Sequence, residues 1–173
     1  QYEAMGTNQI TASGWALKSA DWDTFEDMLD GELAGRIKGW SPQSSYYDWQ
    51  SKGVQYRTKV LSIQVSNTRI YFGNQDYSTV TNMTLTAGRD ISETDCRYRA
   101  RVCLIGEAVR KYFFGAMSPI GQDIRIGSKS FEVIGVYAGK YGGKLNSGDQ
   151  LIVLPYTLQP YMMEVSFYDS HDY

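Results

Sequence analysis

Residues 118–136 read SPIGQDIRIGSKSFEVIGV. Isoleucine, valine and phenylalanine alternate with charged and polar residues on either side of a short Gly-Ser-Lys-Ser break. The segment ends on a run that reads as buried on both faces. Alternation with a period of two, interrupted by a turn, predicts a β-hairpin that feeds a central strand.

The rest of the chain must supply what that strand pairs with. RVCLIG (101–106) reads as a short buried strand, and LIVLP (151–155) as another. Between the first of these and the hairpin, GEAVRKYFFG (106–115) reads as a short helix, with Val109 and Phe113 on one face and Gly115 at its end. Upstream, Trp22, Phe25 and Leu29 recur at helical spacing. Ser19 or Asp21 can cap that helix, and Asp21, Asp23 and Glu26 suit the positive end of its dipole, so a helix is expected from about Asp21 to Leu33. Residues 1–6 read as a helix end, and TNQITASGW (7–15) as a strand. In VQYRTKV, residues Val54, Tyr56, Thr58 and Val60 share a face. Leu61, Ile63 and Val65 then continue in the opposite phase, which predicts a bulge or bend near Val60–Leu61. A turn is expected at Gly73–Asp76. Thr157 is expected to cap a short helix with Pro160 in its first turn, and EVSFYD (164–169) to form a last strand.

At 173 residues the chain is long enough for one domain or two small lobes. A chain of this size buries roughly 70% of its unfolded surface and needs no metal or disulfide to fold. A formal net charge of −2 argues against a nucleic-acid partner, which calls for a basic face. No window approaches the ~18 apolar residues of a membrane helix. The N-terminal QYEAMGTNQI lacks the basic-then-apolar pattern of a signal peptide. A soluble chain, or a soluble piece of a membrane protein, is the expectation. The 14 tyrosines suit half-buried sheet surfaces first and binding surfaces second.

A catalytic constellation is not legible. The one histidine, His171, is the third residue from the C-terminal end, where a rigid nucleophile–base pair is not expected. No pair of histidines exists to bind zinc. Asp21, Asp23, Glu26, Asp27 and Asp30 form the densest acidic cluster, but Phe25 and Glu26 break the alternation of a calcium loop, so a solvated helix face is expected. Gly139–Lys144 lacks the first glycine of a phosphate loop, and Leu145 stands where Ser or Thr would hold magnesium. No catalytic residue, cofactor or metal is therefore assigned. Cys96 and Cys103, on one continuous strand, would lie too far apart to pair. Cys103 is read as a core residue and Cys96 as an exposed thiol.

Two surface features carry binding hypotheses. Arg97, Arg99 and Arg101 alternate in DCRYRARV and would share a face on an extended segment, either as a protected sheet edge or as a basic docking patch for an acidic partner. The stretch from Ala138 to Gly148 is glycine-rich, expected to be exposed and mobile, and displays Lys140, Tyr141 and Lys144 as a candidate partner contact.

In order, GTNQIT, a helix, NQDYSTVTNMTLTAGRDISETD, RVCLIGEAVRKYFFG, SPIGQDIRIGSKSFEVIGV and LIVLPYTLQ form a string that resembles the periplasmic core domain of MacB-type ABC-transporter permeases. The wider group includes FtsX-like and lipoprotein-releasing permeases. The resemblance implies an α+β fold, with a porter-like βαβ lobe and an inserted, mostly β lobe. Residues 1–65 would begin the porter-like lobe, 66–148 would be the inserted lobe, and 149–173 would return to the first. Gln1–Gly6 would be the outer end of a membrane helix. Gly88 and Gly121 would serve turns, and Arg89 would be a structural hydrogen-bond donor. EVSFYDSHDY comes early against the family pattern, so the returning lobe is expected to be incomplete. The resemblance further implies a non-catalytic domain facing the periplasm or extracellular side of the cell membrane. It would relay ATP-driven movement from an ATP-binding subunit or domain, contact cargo or an adaptor protein in export such as efflux, and work in a homodimer. The other reading is a secreted or surface binding module, with Tyr46, Tyr47 and Trp49 stacking on glycan or peptide.

Overall fold

The computed structural model describes residues 19–42, 44–47 and 53–163. The expected helix end at 1–6, the strands at 7–15 and 164–169, Trp49 and His171 lie outside the described residues. The chain divides into two compact units, Gln1–Trp40 and Ser41–Tyr173.

In the first unit, α1 spans Ser19–Asp30. It starts two residues earlier than expected and ends three earlier. Gly31, a poor helix former, opens a series of turns in which its N–H still reaches the Asp27 carbonyl at 3.1 Å and Leu33 N–H reaches Met28 at 2.9 Å. Phe25 packs edge-on against Trp40, with ring centroids 5.4 Å apart. Asp27 and Asp30 face solvent, as a solvated acidic face requires.

The second unit contains, in order, β1 (Ser44–Tyr47), β2 (Val54–Arg57), β3 (Ser62–Val65), β4 (Arg69–Gly73), α2 (Tyr77–Val80), β5 (Leu85–Gly88), α3 (Glu93–Arg97), β6 (Val102–Ile105), α4 (Glu107–Phe114), β7 (Asp123–Ile126), β8 (Lys129–Tyr137), β9 (Leu151–Pro155), a 3-10 turn (Tyr156–Leu158) and α5 (Gln159–Met163). Among the described residues one mixed sheet runs β1-β4-β9-β6-β8-β7-β2-β3, with β5 also paired to β8. β4 is parallel to β9 and β6 to β8; the other pairs are antiparallel. The α+β class that the resemblance implies is the observed one, and the sheet joins strands from all three of the expected segments.

The segment at 118–136 is the hairpin it reads as. Ile126 pairs with Lys129, so the turn is the two residues Gly127–Ser128, with Gly127 at φ 60°. Glycine reaches that left-handed conformation without a Cβ clash. Ile124, Ile126, Phe131 and Val133 enter the core on one sheet face, with Val109, Phe113 and Phe114 of α4. Ile134 and Tyr137 enter a second cluster with Leu104, Val153 and Tyr77. Neighbouring residues of β6 and β9 divide between the two clusters, which is why their sequences are unbroken apolar runs.

At 54–65 the expected bulge or bend is a full hairpin turn, not a bulge within one strand. The chain reverses, with Val54 opposite Val65 and Tyr56 opposite Ile63, and the Thr58 N–H donates to the Leu61 carbonyl at 2.8 Å. Cross-strand partners share a face, so a hairpin brings both apolar phases to the same side. Val60, at the tip, is 96% exposed.

DCRYRARV is likewise not extended. Cys96 and Arg97 end α3, Arg99 has φ 51°, and β6 begins only at Val102. Helix and turn place Cys96 inward, and it is 4% exposed, not an exposed thiol. Its sulfur faces the Gly73 carbonyl, and burial pushes its pKa up to about 11. Cys103 is a buried core residue as read, and both cysteines are free. Thr157 does not cap a helix; its hydroxyl donates to the Cys96 carbonyl at 2.6 Å and ties the 3-10 turn to α3.

Gly88 and Gly121 both have positive φ, +74° and +82°. At Gly88 a Cβ would lie 2.0 Å from the Ile134 carbonyl oxygen, so β5 approaches β8 as closely as glycine permits. Arg89 is the structural donor it was expected to be. It reaches Asp95 with both terminal nitrogens, at 2.6 and 3.3 Å, and the Asp90 carbonyl at 3.0 Å. Asp95 also closes a capping box with Ser92 at the start of α3.

Candidate functional site

The loop between β8 and β9 is the most developed surface feature that the sequence singled out. It leaves β8 at Tyr137 and returns to the sheet at Leu151. Its order comes from two residues placed just before β9. The buried Asp149 carboxylate accepts the backbone N–H groups of Lys140 at 2.8 Å, Tyr141 at 2.9 Å and Gly143 at 2.7 Å. Burial works against ionisation of this carboxyl. The N–H donors of Lys140, Gly143 and Tyr141, with the charge of Lys111, outweigh it and hold the pKa below the ordinary aspartate value. Next to it Gln150, 2% exposed, accepts from the Asn146 N–H at 2.6 Å and donates to the Ser66 carbonyl at 2.6 Å and the Thr68 hydroxyl at 3.2 Å. Asp149 gathers the loop's first half, and Gln150 fastens its second half to the segment before β4.

The loop also rests on neighbouring elements. Lys111 of α4 donates to the Gly142 carbonyl at 3.1 Å, and Lys140 donates to the Asn82 carbonyl at 2.9 Å. Glu107, at the start of α4, is gripped by Arg110 at 2.7 and 2.8 Å, which holds its carboxyl below the ordinary range. Tyr141 lies over Gly148, where a Cβ would come within 2.5 Å of the ring, and is still 60% exposed. Lys144 is exposed. Lys140, Tyr141 and Lys144 are thus held on one loop, with an aromatic ring and an ammonium presented to solvent.

Arg97, Arg99 and Arg101 are exposed but are not a single row. Arg97 pairs with Glu93 at 2.5 Å, Arg99 sits on the left-handed turn, and Arg101 donates to the Tyr161 hydroxyl at 2.9 Å. Tyr46 and Tyr47 lie on β1, opposite Ile70 and Arg69; their side chains are outside the described residues.

The residues missed in the sequence are Asp149 and Gln150. In a glycine-rich stretch they read as loop polar residues. Their position immediately before an apolar strand was the one available signal. A second buried polar group, also unforeseen, joins Ser78 to Asp90 and to the Tyr137 hydroxyl at 2.8 Å. Burial, chiefly, raises the Tyr137 pKa, so the phenol stays protonated. With no imidazole beside it among the described residues, this serine is a packed hydrogen-bonding group.

Residues 1–171 match the family described as MacB-like periplasmic core domain. The chain is similar to the macrolide export ATP-binding/permease protein MacB 2 of Aeromonas hydrophila, 29% identical over 91% of this chain and 24% of that protein. It is 32% identical over 83% of its length to macrolide export MacB of Bdellovibrio bacteriovorus, covering 20% of that protein. It is 33% identical over 62% of its length to the pyoverdine export protein PvdT of Pseudomonas entomophila, covering 16% of it. The chain therefore spans a quarter or less of the length of these relatives. In fold it is similar to the periplasmic region of MacB from Actinobacillus actinomycetemcomitans, with TM-score 0.61, 22% identity, and coverage of 82% of this chain and 56% of that one. It is also similar to the extracellular domain of the transporter YknZ from Gram-positive bacteria, with TM-score 0.54, 20% identity, and coverage of 82% and 65%. With a family match across almost its whole length, the chain belongs to the MacB-like periplasmic core domains of ABC-transporter permeases.

Proposed function

We propose that this periplasmic domain does no chemistry of its own. It relays ATP-driven conformational change within an export permease and contacts an adaptor or cargo protein through the loop at Lys140, Tyr141 and Lys144. The ATP-binding subunit or domain lies outside this chain, and the working permease is a homodimer. The division into a porter-like lobe and an inserted β-rich lobe at 66–148 belongs to the same reading. The relatives that carry ATP-binding and permease functions in their names support the ATPase partner.

The observation that carries the contact is the loop's construction. A glycine-rich connection is fixed by the buried Asp149 and Gln150, and what it then shows to solvent is a tyrosine flanked by lysines. The ring offers contact area at low entropic cost, and the ammonium groups steer an acidic surface. The test uses the full transporter in cells. Replacing Lys140, Tyr141 and Lys144 together with alanine should weaken partner association and export, while ATPase activity of the solubilised transporter persists. Unchanged export at normal expression would remove the loop from the contact surface.

A further inference from the structure

α5 is a short helix that follows β9 through the 3-10 turn, and its outward residue Tyr161 is gripped from two other places in the chain. Lys129, at the start of β8, sits 3.4 Å from the centre of the Tyr161 ring and donates to the Tyr161 backbone carbonyl. Arg101, just before β6, lies 5.6 Å from the same ring centre and donates to the Tyr161 hydroxyl at 2.9 Å. Inward, Leu158 and Met162 are buried in the main core.

The sheet topology explains why these groups meet. β6 and β8 are parallel, and β9 runs antiparallel to β6 with Val153 opposite Leu104. The exit of β9 and the entries of β6 and β8 therefore lie at one end of the sheet. A helix leaving β9 there can cross beneath all three strands. Among the described residues, no carboxylate forms an ion pair with Lys129 or Arg101. The tyrosine face and hydroxyl stand where a counter-ion would. A cation over an aromatic face contributes about 0.5–1 kcal/mol at an exposed site.

We propose that Tyr161, held by Arg101 and Lys129, is a clasp that makes α5 a crossbar beneath β9, β6 and β8, so that α5 is tied to three strands and not to β9 alone. This inference rests on the relay reading only for what the crossbar would transmit. The clasp itself is a property of this chain and is tested without transport.

The test is hydrogen exchange of the 173-residue chain, read on peptides covering Tyr156–Met163, β6 and β9. Tyr161→Leu keeps bulk and removes both the ring face and the hydroxyl. Exchange in the Tyr156–Met163 peptides should rise at least tenfold, with β6 and β9 changing less than twofold. Tyr161→Phe removes only the hydroxyl bond, and Arg101→Gln removes that bond together with the more distant of the two ring cations; each should raise the same signal about threefold. If Tyr161→Leu does not fold, the two milder variants decide. Unchanged exchange around α5 in the folded variants would overturn the clasp, and so would an equal rise across β6 and β9.

Discussion

The β7–β8 hairpin and the Ala138–Gly148 loop follow one another along the chain, yet they are held by different physics. The hairpin's order is distributed. Its ladder runs from Asp123 opposite Glu132 to Ile126 opposite Lys129, and Ile124, Ile126, Phe131 and Val133 are buried beneath it. The loop's order is concentrated. Among its described side chains none is a large buried apolar group, and three of its N–H groups converge on Asp149. A segment held by many small contributions tolerates polar change and fails when its volume is altered. A segment held by two buried polar side chains, Asp149 and Gln150, tolerates change almost everywhere except at those two.

The largest expected effect lies on the hairpin side. Phe131, 1% exposed, is buried in the main core. Phe131→Ala should cost about 3–5 kcal/mol by leaving a cavity, which is roughly 10 °C in Tm for a chain of this size. Calorimetry checks it, and a loss under 1 kcal/mol would mean the hairpin is not part of the core.

An intermediate effect is expected at Asp149, and it depends on pH. Asp149→Asn keeps the shape and removes the charge, leaving backbone donors facing a weaker acceptor. The cost at pH 7 should be about 1–3 kcal/mol. Because the folded pKa lies below the unfolded one, the wild-type advantage is complete above the unfolded value of about 4 and is lost as pH falls through the lowered folded value. Asp95 is also held low: burial opposes its charge, but Arg89 and Ser92 more than compensate. Glu107 is held low by Arg110. Both lose stabilisation in the same acid window, so the informative quantity is the difference between wild type and Asp149→Asn in urea titrations at successive pH values. A difference that does not shrink in acid would sever the loop from the carboxylate.

The smallest effect is expected from changing what the loop displays. Lys140, Tyr141 and Lys144, replaced together by alanine, should alter unfolding free energy by no more than ~0.5 kcal/mol, as for exposed sites away from special features. Denaturant midpoints would show it. A larger loss would mean that the Tyr141 ring on Gly148 holds the loop as well as decorating it.

How much of this was legible follows the same division. Distributed order leaves a period in the sequence. The hairpin, β6, α4 with Val109 and Phe113 inward, and β9 could all be read from alternation or from unbroken apolar runs. Concentrated order leaves no period. A buried aspartate at 149 has the same letter as an exposed one, and nothing local marks its N–H partners. The misreadings have physical causes too. At Val60–Leu61 the apolar phase inverts, and a bulge and a hairpin both invert it; only the pairing of Tyr56 with Ile63 separates them. At Cys96 the alternating arginines suggested a strand. Ser92 three residues before Asp95 was the helix-start signal that would have turned Cys96 inward.

The most direct test of the contrast is amide protection measured residue by residue in wild type and Asp149→Asn at neutral pH. The N–H groups of Lys140, Tyr141 and Gly143 should lose at least about tenfold in protection, equivalent to roughly 1.4 kcal/mol, as expected for bonds to a charged acceptor. The β7–β8 ladder amides should lose no more than the change in global stability. Unchanged protection at Lys140, Tyr141 and Gly143 would show that Asp149 does not hold the loop.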